Sequence, residues 1–244
     1  VEMLLRLFDA SKFLAETITR QPELFDEVCR GIGFSDPKNL DRMYAELLAA
    51  SEAESEPAET VRAWKRAELL RIGIEDVMGL VDLEQTHLEI TCLAEACLRF
   101  ALECVRRELK LAKFPFAIIG MGKFGGKELG YGADLDGLFI GGKGAGDETT
   151  GTKLAAKVIE FMGRQTSAGG LFQVDARLRP DGEKSPLATS LEAHRDYYAT
   201  RADLWERQAL LKARFVGGDV DLGKQFSAMV QEIVYAHAFT GEEL

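Results

Sequence analysis

Apolar residues recur at helical spacing through the first half of the chain. Leu4, Leu5, Leu7, Phe8, Phe13 and Leu14 open an amphipathic pattern, the three-to-four-residue recurrence of one buried helix face. Pro22 heads PELFDEVCRGIGF, where its fixed φ and missing N–H suit a first helical turn. Leu40, Met43, Tyr44, Leu47 and Leu48 form another helical face, and a further helix is expected from Thr60 to about Ile72. Between them, SEAESEPAE (51–59) reads as a solvated linker, too polar to bury itself. From Gln85 to about Leu111, the residues Leu88, Cys92, Leu93, Ala96, Phe100, Cys104 and Val105 predict one long packed helix.

After Pro115 the pattern changes. FAIIGMG is a short apolar run ending in glycine, as a buried strand entering a tight turn would be. DLDGLFI predicts a second strand, and LFQVDARLR a third with alternating polarity. Helices are expected over 153–164, 190–200 and 202–213, and a last one from about Leu222. GGKGAGDETTG (141–151) reads as a mobile connection rather than a phosphate cradle. No internal repeat is found.

Composition sharpens this division. Residues 1–110 hold 4 of the 24 glycines and carry net charge −8, whereas residues 111–244 hold the other 20 glycines and carry −2. Glycine costs a helix roughly 1 kcal/mol against alanine, so the first part should be mostly helical. The expected fold class is α+β: a helical domain over 1–110, a mixed-sheet domain over 111–220 and a helical segment over 221–244. The whole chain, 244 residues with net charge −10, is long enough for a sizeable core and argues against a general polyanion binder. No apolar run approaches the roughly 18 residues of a membrane span, and VEMLLRLFDASKF lacks the features of a signal peptide. Cys29, Cys92, Cys97 and Cys104 form no CxxC pair and read as reduced, buried cytosolic thiols.

Candidate chemistry concentrates in GMGKFGGKELGYGADLDGLFI (120–140). Gly120, Gly122 and Gly125 fit G-x-G-x-x-G, but a dinucleotide fold needs a crossover helix of a dozen or so residues, and Gly130 and Gly132 interrupt it. A P-loop fails because residue 121 is methionine and residue 128 glutamate. The third reading is a two-metal nucleotidyl-transfer site. Asp134 and Asp136 are separated by one residue on an expected strand, so both face one side, where they could hold Mg²⁺ ions. Asp175 would add a third carboxylate from a neighbouring strand. Gly125 and Gly126, placed at a helix start, would offer N–H groups to a triphosphate. The plainer alternative makes Asp134 and Asp136 surface turn acids, although Leu135, Leu138 and Phe139 around them are apolar. Arg177 and Arg179 either contact phosphate or balance the aspartates. Lys123 and Lys127 could reach phosphate or be ordinary exposed lysines. His87, His194 and His237 are isolated and receive no metal or base role. Trp205 is expected in the core and Glu206 in a buried ion pair.

The 120–140 stretch resembles the signature of the glutamine synthetase adenylyltransferase/deadenylylase family, within the DNA polymerase beta-like nucleotidyltransferase superfamily. VDARLRPDGEKSPLATSL and WERQALLKARFVGGD resemble its downstream motifs, in the same order. AELLRIGIEDVMGL and the helix over 88–109 are similar to the segment preceding its catalytic domain. The resemblance implies Mg²⁺-dependent AMP transfer from ATP to a tyrosine of glutamine synthetase, or its removal by phosphorolysis with phosphate, releasing ADP. Asp134, Asp136 and Asp175 match the metal-binding carboxylates, Gly125 and Gly126 the phosphate-side glycines, and Arg177 and Arg179 the following basic residues. Lys123 joins the phosphate-binding candidates. YYATRADLWERQALLKARFVGGD looks more like the deadenylylating half of these two-halved enzymes. The family also implies PII-type signal proteins as partners of the full-length enzyme; a cytoplasmic protein is expected, and the acidic balance with no basic stripe argues against a nucleic-acid partner. Gly137 replaces the family's usual apolar residue and is expected to loosen its strand. The rival function is a catalytically silent nucleotide-binding or regulatory module docking on a partner protein.

Overall fold

The computed structural model describes residues 2–31, 37–52, 56–142 and 147–235. The chain divides into two compact units. The first comprises residues 1–97, joined by 129–131 and 165–171; the second comprises 98–128, 132–164 and 172–244.

The first unit is helical: α1 (Glu2–Ala10), α2 (Lys12–Arg20), α3 (Pro22–Gly31), α4 (Leu40–Glu52), α5 (Pro57–Val77) and the first part of α6 (Leu83–Glu108). Ser11 caps α2 by accepting a hydrogen bond from the Leu14 amide, satisfying one of the free N–H groups at a helix start. Pro22 and Pro57 each begin a helix. Helix α5 is therefore longer than expected, and residues 51–52 and 57–59 of the anticipated linker belong to helices; 53–55 lie outside the described residues. Leu7, Leu14, Ile18, Leu70 and Ile74 form one apolar core. Gly73 lets α2 approach α5, since a Cβ there would stand 2.8 Å from Leu14 Cδ2. On another side of α5 lies a buried ionic network. Arg71 binds Glu68, Glu75 and Glu89 at 3.1, 2.6 and 2.7 Å, and the Lys38 ammonium binds Glu46 and Glu68.

The second unit is built on five strands: β1 (Phe116–Gly120), β2 (Leu135–Gly141), β3 (Val174–Asp175), β4 (Ala188–Thr189) and β5 (Arg214–Gly218). The order is β3-β2-β1-β5, with β4 also pairing β2. Strand β1 is antiparallel to β2 and β5, whereas β3 and β4 run parallel to β2, so the sheet is mixed as expected. Its helices are α7 (Gly122–Gly125), α8 (Asp147–Gly163), α9 (Leu191–Thr200), α10 (Leu204–Ala209) and α11 (Val220–Val230). Ala117, Ile119, Leu138 and Ile140 pack with Tyr198, Leu210, Phe226 and Met229 in the main core. Helix α8 begins at Asp147, inside the stretch expected to be a loop; 143–146 lie outside the described residues.

Three further expectations are corrected. LFQVDARLR pairs only at Val174–Asp175, because Asp175 Oδ1 accepts a hydrogen bond from the Arg177 amide at 2.8 Å. That local turn diverts the chain from the sheet. The helix expected through Ala213 ends at Ala209, and RFVGG forms β5. Strand β2 runs unbroken through Gly137, whose partner is Gly120, so that glycine does not loosen it. Among the described residues no helix is long and apolar enough to cross a membrane.

Candidate active site

The alternation in Asp-Leu-Asp governs the site. Leu135 is buried at 1% exposure, so its neighbours point away from the core. Asp134 immediately precedes β2, and Asp136 is the strand's second residue. Parallel pairing then places Asp175 of β3 directly opposite Asp136. Three carboxylates thus occupy one end of two adjacent strands. Asp134 and Asp175 also line a cavity of about 670 Å³ shared with Val174, Arg177, Arg179 and Glu183.

The charges respond to this crowding. Burial, then the charges of Asp175 and Asp134, push the Asp136 carboxyl above the usual range; Arg177 opposes them. Asp175 shifts the other way, because the Arg177 side chain donates to it. Arg177 Nε lies 3.0 and 2.8 Å from its two oxygens, and Nη2 also binds Oδ2. Such a fork is the strong form of the guanidinium–carboxylate bond.

The two arginines, alike in sequence, therefore differ. Arg177 pairs with Asp175. Arg179 instead donates to the Ala176 and Ser185 carbonyls at 2.7 and 3.2 Å, pinning the loop that leads to β4. Lys123 is exposed on α7. The glycine pair is not at a helix start. Gly125 ends the single turn of α7 and Gly126 caps it; their amides donate to the Met121 and Gly122 carbonyls at 2.8 and 3.0 Å. Gly125 is required by packing, since a Cβ would stand 2.0 Å from the Lys212 carbonyl oxygen.

Gly122, weighed only as part of a dinucleotide fingerprint, is the residue sequence reasoning undervalued. It adopts φ +51°, and a Cβ would lie 2.7 Å from Asp136 Oδ2. Its signal was a glycine two residues beyond a buried strand. Glu183 at the cavity wall had no sequence signal.

Trp205 is 57% exposed rather than core-packed. It lies on the short helix α10, which has no buried residue. Glu206 forms no buried ion pair; it accepts hydrogen bonds from the Tyr197 hydroxyl and the Asp203 amide. All four cysteines are free thiols, but only Cys97 is fully buried. His194 is buried and bonded to Thr189 and the Ser190 carbonyl. His237 lies outside the described residues.

Among the described residues no three carboxylate, imidazole or thiol groups converge on one point as they stand, consistent with Asp175 being turned to Arg177. The donor set nonetheless fits a hard divalent cation. It offers only carboxylate oxygens, and burial together with the charges of Asp175 and Asp134 already raises Asp136.

A family model described as glutamate-ammonia ligase adenylyltransferase matches residues 1–229. The chain is similar to proteins named bifunctional glutamine synthetase adenylyltransferase/adenylyl-removing enzyme. The one from Aromatoleum aromaticum is 35% identical over 236 residues, covering 93% of this chain and 25% of the relative. Those from Nitrosococcus oceani and Streptomyces avermitilis are each 35% identical, covering 96% and 97% of this chain and 27% and 24% of theirs. The chain thus spans about a quarter of the length of these curated relatives.

Proposed function

Because the chain belongs to the glutamate-ammonia ligase adenylyltransferase family, we propose that it carries one AMP-transferring site acting on glutamine synthetase. The observation that carries this reading is the register of β2 and β3, which sets Asp136 opposite Asp175 with Asp134 two residues away. The preferred direction is removal. Phosphate attacks the α-phosphorus of adenylyl-tyrosine, a phosphorus–oxygen bond forms to phosphate, and the bond to the tyrosine oxygen breaks. ADP leaves and the phenol takes up a proton. In the forward direction the tyrosine hydroxyl gives up its proton to solvent as its oxygen attacks the α-phosphorus of ATP, and pyrophosphate leaves.

Asp134, Asp136 and Asp175 would hold Mg²⁺, which supplies charge neutralisation at the phosphoryl oxygens when bound. The chain's own part is preorganisation. Leu135 anchors the strand so that both flanking aspartates face the same side. Gly122 leaves room for the Asp136 carboxylate. Arg177 holds the Asp175 carboxyl below its ordinary range through their hydrogen bonds and brings a positive charge to the cavity wall, where it favours a phosphate group. The full-length enzyme would work in the cytoplasm and answer to PII-type signal proteins.

The test is phosphorolysis. Adenylylated glutamine synthetase, Mg²⁺ and phosphate are mixed with the protein, and ADP release is followed. Wild type should release ADP, and Asp134→Asn should not. An Asp134→Asn protein with near-normal turnover in either direction would overturn the assignment. The pairing of Asp175 with Arg177 favours one second reading, a silent nucleotide-binding module, which would bind ATP without turnover.

A further inference from the structure

The helical unit contains a second cavity, of about 420 Å³, walled by α2, α5 and the turn at residues 167–170. Among the described residues four basic side chains line it, Arg20, Arg62, Lys65 and Arg66, and one acidic one, Glu16, which lies 4.0 Å from Arg20. Arg62 is only 1% exposed and donates to the Ala58 carbonyl at 2.7 Å. Arg66 spends its hydrogen bonds on neutral oxygens, donating to Gln21 Oε1 at 3.0 Å and to the Ala168 carbonyl. Its positive charge therefore remains on the cavity wall. Burial lowers the proton affinity of Lys65, and the neighbouring Arg66 lowers it further.

The turn is held against these cations. Glu59 accepts hydrogen bonds from the Thr166 and Ser167 hydroxyls and the Ala168 amide. Gly169, at φ +96°, passes so close that a Cβ would stand 3.1 Å from Arg66 Nη2. The wall is thus a fixed concavity of clustered positive charge. Its volume suits a small metabolite.

We infer that this cavity binds a compact polyanion, a phosphate or carboxylate group free or on a small metabolite, between Arg20, Lys65 and Arg66. The inference does not depend on the transfer reaction. It is tested by calorimetric titration with inorganic phosphate and with citrate, at constant ionic strength. At least one anion should bind at one site per chain. Lys65→Gln should weaken that binding about tenfold. Glu16→Gln removes an acidic side chain that lines the cavity from an exposed position, where it lies 4.0 Å from Arg20, and should tighten binding two- to fivefold, a gain that a misfolded protein cannot give. The anion that binds tighter identifies the ligand as phosphate-like or carboxylate-like. Binding of neither anion would overturn the inference. So would affinity unchanged in both variants, or binding lost only in Asp134→Asn, which would belong to the other cavity.

Discussion

Replacing Gly122 by alanine should separate stability from activity. Gly122 has φ +51°, in the left-handed region that costs an L-residue about 1–2 kcal/mol. The thermal midpoint should therefore fall by roughly 2–8 °C for a chain of this size. The added methyl would also stand 2.7 Å from Asp136 Oδ2, well inside a normal carbon–oxygen contact, so the carboxylate must move. Misplacing a reacting group by about 1 Å can cost a hundredfold in rate; ADP release should accordingly fall on the order of ten- to a hundredfold. Gly137→Ala is the control. Its Cβ would meet Ile119 O at 3.7 Å and Val174 Cγ1 at 3.9 Å, ordinary contacts that leave the midpoint unchanged or raise it, by up to about 1 kcal/mol of stability. Thermal denaturation and the phosphorolysis assay together check the pair. A destabilised Gly122→Ala protein with wild-type ADP release would refute the argument that the position of Asp136 matters.

Three further outcomes are expected. Asp136→Asn should abolish transfer yet raise the thermal midpoint at neutral pH. The folded state raises this carboxyl, so its ionised form opposes folding: the advantage of Asn should be full above the raised value, shrink as pH falls through it, and vanish below the ordinary carboxylate range. Arg71→Met should cost roughly 3–5 kcal/mol in urea denaturation, because it strands the fully buried Glu89 beside Glu68 and Glu75. Cys97, whose thiol is pushed up to about 12 by burial, should resist iodoacetamide at pH 8 in the native protein and react in urea, as mass spectrometry would read.

What the sequence disclosed follows from the range of each interaction. The aspartate pair was legible because its evidence is local: an i, i+2 spacing with an apolar residue between. Asp175 was legible from chemistry, since three acids in strands ask for a reason, but its exact partner depended on a strand register that no local pattern encodes. Strand β5 was missed for the same cause. RFVGG looks like a loop until β1 supplies its hydrogen bonds, across an irregularity between Ile118 and Ile119. Arg177 and Arg179 were inseparable in sequence and separate in space, one bound to a carboxylate and the other to two carbonyls.

The glycines make the point most sharply. A glycine is needed wherever the backbone turns left-handed or something approaches too close for a Cβ, and sequence alone does not say which. Gly125 is required because the Lys212 carbonyl, far along the chain, presses on it; Gly122 because a carboxylate does. Only the second bears on the proposed chemistry. The glycine-rich turn beside the paired aspartates mixes crowded positions with open ones, since a Cβ at Gly130 or Gly132 would meet nothing within 4 Å, and the role of a crowded glycine depends on what does the crowding. For this chain that shifts attention from a phosphate cradle at Gly125–Gly126 to a carboxylate held at Gly122.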